Sequence, residues 1–159
     1  MSLKKGKKKA KSPGVNRETR NMLMLSANPI WRAFAKEPIS QTTQTSIGLA
    51  GRKSLYALAN GAGEFEHCKE LMVTAYAGIF LAEQGYGEDL LGDFYGALAV
   101  VHECRNRARS GGAFSLDESD ARKVDVLLDL HEQQLGLAEK ADLAAAIVES
   151  YRRAGDSFP

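Results

Sequence analysis

A chain of 159 residues, 44% hydrophobic and 26% charged, has the makeup of one globular domain with an extension. Its net charge of +1 hides a division: the first twenty residues hold eight Lys or Arg against one Glu, and the rest holds thirteen bases against nineteen acids. No apolar run approaches the ~20 residues of a membrane-spanning helix, and Lys11-Ser12-Pro13-Gly14 stands where a secretory signal would turn apolar, so membrane and export classes are set aside and a cytoplasmic setting is expected.

Residues 1–15 hold six Lys and few apolar side chains, which predicts a disordered tail. Residues 16–39 read as short helical segments and a linker. Met22 to Leu25 give the apolar part of the first, and Asn28-Pro29 opens a second that ends before Glu37-Pro38. The helical domain is expected over 40–156. A first helix carries Ile47, Leu49, Leu55 and Leu58 and stops at Asn60-Gly61. The strongest signal spans 64–84, where Phe65, Cys68, Leu71, Met72, Ala75, Tyr76, Ile79 and Phe80 recur at steps of three and four. Residues 88–109 repeat it with Leu91, Phe94, Leu98, Val101 and Cys104. Arg105, Arg107 and Arg109 suit the negative end of that helix. Ser115-Leu116-Asp117-Glu118 has the form of a capping box and predicts a helix over 116–136. The last helix, about 139–154, should turn Leu143, Ala146, Ile147 and Tyr151 inward. No strand-period run competes with these. The fold expected is all-α, an antiparallel bundle of four to five helices behind a basic disordered tail.

Three groups of residues qualify as sites. Lys4, Lys5, Lys7, Lys8, Lys9 and Lys11 would attract phosphate or an acidic protein, without reading bases. Trp31 and Phe34 share a face and form a candidate partner anchor; the alternative is that they fold back and cap the bundle. His131 and Gln134 fall on the apolar side of their helix, a polar site in a greasy face whose plain reading is a buried histidine with its hydrogen bonds met.

Other patterns carry less. Glu64-x-x-His67 has the spacing of a di-iron ligand pair, but His102 and His131 have Ala99 and Leu128 where a second pair needs Glu, so no metal is called for. No nucleophile elbow, phosphate loop or paired-Cys zinc motif occurs, and no cofactor is expected. Cys68 and Cys104 read as two buried reduced thiols, with a disulfide between them as the lesser alternative. Gly92-x-x-x-Gly96 would let another helix approach closely, within the chain or across a homodimer.

Leu81-Ala82-Glu83-Gln84-Gly85, the segment Leu128 to Leu135 with His131 and Gln134, and Arg153-Ala154-Gly155 carry a resemblance across residues 44–155. The chain resembles a loose group of small uncharacterised helical proteins from bacterial prophages and plasmids. That resemblance implies a mobile-element setting and a helical fold, and transfers no activity. The expected function is a non-enzymatic accessory protein that binds a macromolecule, in the first place a protein. A nucleic-acid-associated protein using its Lys tail, and an enzyme with a site near His131, stay open.

Overall fold

The computed structural model describes residues 33–157, with side chains as far as Gly155. The Lys-rich tail, the segment around Met22 and Trp31 therefore lie outside the described residues. The chain divides into two units, 1–34 and 35–159. Of the first, Ala33 and Phe34 are described, both helical. The second is all-α among its described residues: α1 Gln41–Ala59, α2 Phe65–Glu83, a 3-10 turn Glu88–Leu90, α3 Leu91–Arg109, α4 Glu118–Leu137 and α5 Lys140–Ser157.

Helix ends follow local chemistry. Ser40 caps α1, its Oγ accepting from the Thr43 N–H at 3.2 Å. At the other end the Asn60 N–H bonds the Tyr56 carbonyl, and Gly61 takes φ +74°, as the Asn-Gly stop implied. Glu64 and His67 form a reciprocal cap on α2: the Glu64 side chain accepts from the His67 N–H, and the Glu64 N–H donates to His67 Nδ1 at 3.0 Å. The pair with metal-ligand spacing is thus engaged in ending a helix.

Two boundaries differ from expectation. The segment from residue 88 is not one helix, because its first turn is 3-10 before α3 begins at Leu91. Helix α4 starts at Glu118, with Asp117 rather than Ser115 as its cap; Asp117 Oδ1 accepts from the Asp120 N–H at 2.8 Å. Ser115 is held elsewhere. Its carbonyl accepts from Arg107 Nη2 at 2.6 Å, and the next N–H, of Leu116, donates to the Leu58 carbonyl at 3.0 Å. These ties keep the chain out of helical form until Asp117.

Helix α2 is the hub. It packs against α1, α3, α4 and α5, while α1 and α3 each also pack against α4. Ten of its residues are buried, so hardly any face is left polar. Gly78 is where α3 comes nearest: a Cβ there would stand 2.2 Å from the Phe94 ring. Gly51 plays the same part for α1, since its Cβ would stand 2.6 Å from Leu128 Cδ2. Gly92 and Gly96, by contrast, have nothing within 4 Å of such an atom. The close approach expected of them within the chain is corrected: both face outward.

Two apolar clusters result. The larger joins α1 to α4 through Leu58, Leu71, Met72, Ile79, Phe94, Leu98, Val101, Val124, Leu127 and Leu128. The smaller joins Ile39, Ala77, Leu81, Leu135, Ala138, Leu143 and Ala146. It seats α5, whose entry is fixed by Glu37 and Pro38. The Glu37 carbonyl accepts from the Lys140 N–H at 2.9 Å, and Pro38 forms an isolated antiparallel bridge with Glu139.

Candidate functional site

His131 and Gln134 sit one helical turn apart on α4, between the residues that serve the larger cluster (Leu127, Leu128) and those that serve the smaller (Leu135, Ala138). His131 is 3% exposed and Gln134 is 2%. The Gln134 amide nitrogen donates twice, to the Gly78 carbonyl of α2 and to the Tyr86 carbonyl of the following loop, each at 2.9 Å. Both its hydrogens are then used, so the Gln134 Oε1, 3.1 Å from His131 Nδ1, must be the acceptor. Nδ1 of the neutral ring therefore carries the proton and Nε2 is bare. Burial pushes the His131 pKa down, opposed by the Gln134 contact and by Glu132. At 3% exposure the imidazole offers almost no surface to a solute.

Tyr86 extends the network. It lies between Gly85 and Gly87, at φ +99° and +92°, conformations that a side chain would strain. Its hydroxyl donates to Asp142 Oδ2 on α5 at 2.6 Å, and that bond raises the phenol pKa. One loop residue thus links α4 through its carbonyl and α5 through its ring. The pattern Gly-Tyr-Gly was the available signal for it, and the residue's role was missed.

A second polar feature is an ion ladder. Arg52 of α1 reaches Asp125 Oδ1 at 2.6 Å, Asp129 Oδ1 at 2.5 Å and Glu132 Oε1 at 3.2 Å, three acids on one face of α4. The Asp129 hydrogen bond raises the Arg52 pKa first, against burial. Beside it a shallow groove of about 230 Å³ lies against Gln44, Thr45, Leu49, Arg52 and Glu132. Arg52 sets one positive charge against three acids, so the ladder keeps an excess of negative charge, while the two charged residues lining the groove, Arg52 and Glu132, balance each other.

No protein-family model, no curated protein and no solved structure matches this chain.

The third feature is the outer face of α5. Ile147 and Tyr151, expected inward, are 41% and 55% exposed, and Val148 is 61% exposed. Leu143 and Ala146 face inward as expected, and the other inward positions belong to Ser150 and Ala154. Ser150 tolerates burial because its hydroxyl donates to the Ile147 carbonyl at 2.8 Å. Ala144, Ile147, Val148 and Tyr151 form a second apolar stripe at helical spacing on the exposed side. The charges near it are engaged within the chain. Glu149 holds Arg152 and Arg153, which draw its pKa down to about 2, and Arg153 also pairs with Glu83 of α2 at 2.7 Å. Of the anchor pair read from the sequence, Phe34 is exposed over 43% of its surface.

No described helix is long and apolar enough to cross a membrane. Among the described residues no group of three or more His, Cys, Asp or Glu is placed to hold a metal ion.

Proposed function

We propose that this chain is a non-enzymatic accessory protein of a mobile genetic element, an antiparallel helical bundle that works by binding a protein partner through the outer face of α5. The observation that carries the reading is the stripe Ala144, Ile147, Val148 and Tyr151, exposed on a helix whose other face is already docked. Large apolar groups lined up on a surface cost solubility and mark an interaction site. Because Glu149, Arg152 and Arg153 satisfy one another, the stripe presents no unpaired charge that a partner must match. It suits an apolar helical face on the partner, read at i, i+3, i+4 and i+7. The mobile-element setting rests on the resemblance of residues 44–155.

The test compares affinity capture from the native host by the full chain and by a Val148→Asp, Tyr151→Asp variant, with sedimentation of both. One protein held by the first, lost by the second, with equal melting temperatures, is the expected outcome. Retention by both overturns the reading. A dimer that the double substitution dissociates overturns it too, in favour of a second copy as occupant. The Lys-rich tail favours a nucleic-acid partner as the second reading. It requires affinity that falls with salt, by a slope reduced by about five on deleting residues 1–12.

A further inference from the structure

Cys68 near the start of α2 and Cys104 near the end of α3 are both fully buried and both free. Their sulfurs are 3.7 Å apart, in van der Waals contact. The Cys68 thiol donates to Cys104, and the Cys104 thiol donates to the Ser115 carbonyl at 3.3 Å. That carbonyl also accepts from the exposed Arg107. The pair therefore lies one hydrogen bond beneath the surface, roofed by the turn between α3 and α4. The roof includes Gly111, at φ +93°, and is latched by the Arg107–Ser115 and Leu116–Leu58 bonds.

We infer that Cys68 and Cys104 are a modification site, oxidised by a small hydroperoxide to a reversible disulfide that ties α2 to α3. Opening of the roof admits the oxidant to Cys104 first. The Cys104 thiolate attacks the peroxide O–O bond, becoming a sulfenic acid as the other oxygen leaves as water or an alcohol. Cys68 then attacks the sulfenic sulfur, its proton leaves with the hydroxyl as water, and the S–S bond forms. Two thiols lose two electrons and two protons, and the peroxide is reduced; a dithiol reductant reverses the step.

Geometry favours the closure. The sulfurs already touch, and must approach from 3.7 Å to about 2.0 Å for the bond to form. The order of attack follows the hydrogen bonds. Accepting the Cys68 S–H and lying near Arg107 hold the Cys104 thiol below its usual range against the effect of burial, while donation and burial push Cys68 up. The alternative is a pair of inert small apolar groups, and it predicts different masses.

The full chain is treated with excess hydrogen peroxide, unfolded, alkylated with iodoacetamide and weighed intact. Expected is a mass lower by two hydrogens with no alkylation, and two alkylated thiols once dithiothreitol is added. Cys68→Ser, which cannot close the bridge, should gain oxygen at Cys104 under the same treatment. The oxidised wild-type chain should melt higher than the reduced one, by roughly 5–10 °C. Two alkylated thiols after peroxide, added oxygen in the wild type, or a bridge between two chains overturns the inference. So does a bridge that leaves the melting temperature unchanged or lowers it.

Discussion

The two apolar clusters are built from different materials. The larger uses Phe94, Met72 and a set of Leu and Val side chains shared by four helices. The smaller mixes Ile39, Leu81, Leu135 and Leu143 with Ala77, Ala138 and Ala146, which bring backbones close but remove little area from water. Polar ties stand around the second cluster: Tyr86 to Asp142, Arg153 to Glu83, Lys140 to Glu37. The larger core coheres by volume, and the smaller one by small-residue contact with a polar perimeter. The difference bears on why α5 keeps Ile147, Val148 and Tyr151 outside: its docking uses one large residue, Leu143, with the small Ala146, Ser150 and Ala154, and leaves the other large ones available.

Four measurements would sharpen or break that contrast. The largest effect belongs to Phe94→Ala, which empties the space beside Gly78 and should cost about 4 kcal/mol in denaturant unfolding. Leu143→Ala, in the smaller cluster, should cost about 2 kcal/mol; equal losses would erase the distinction. Next comes Gln134→Leu at the boundary. It strips a donor from the Gly78 and Tyr86 carbonyls and an acceptor from the His131 N–H, and should cost roughly 2–3 kcal/mol.

Third is pH. Burial lowers the folded pKa of His131, and of the half-buried His102 packed against Tyr76, below the unfolded value of about 6.5. The unfolded chain then binds more protons as pH falls through that value, so stability is whole above it and declines below, until the folded values are reached. A buried His contributes at most ~1.4 kcal/mol per pH unit. His131→Gln should flatten the decline between pH 6.5 and the acid side; an unaltered slope would assign the loss elsewhere. The smallest effect is that of Arg52→Gln. The ladder is more than a third exposed, so about 1 kcal/mol at low salt is expected, fading at high salt.

Helix placement was legible because the apolar spacing of α2, α3 and α4 left little choice. The stops at Asn60 and Ser110 were legible from the turn chemistry that follows each. Helix α5 was legible in part, since Leu143 and Ala146 do face inward; Ile147 and Tyr151 were misplaced because the helix has two apolar stripes, and periodicity cannot say which one docks. Ser150 would have argued against the true stripe, since its bond back to Ile147 is invisible in a list of residue types. The start of α4 was misplaced because Ser115 matches a cap pattern while contacts from Arg107 and Leu58 hold it extended. His131 and Gln134 were found as a polar pair on a greasy face. Their partners were not, because Gly78 and Tyr86 act through backbone carbonyls. Arg52 went unnoticed since its acids lie more than seventy positions away. The touching sulfurs of Cys68 and Cys104 depend on how α2 meets α3, which spacing does not encode.

Apolar side chains slide past one another with little penalty, and many alignments of α4 on α2 would hide similar grease. The Gln134 carboxamide accepts few of them. Rolling or shifting α4 by one position would pull it from both carbonyls together, like a dowel leaving two bored holes. The alignment of the rods is thereby set by one polar side chain as well as by their grease.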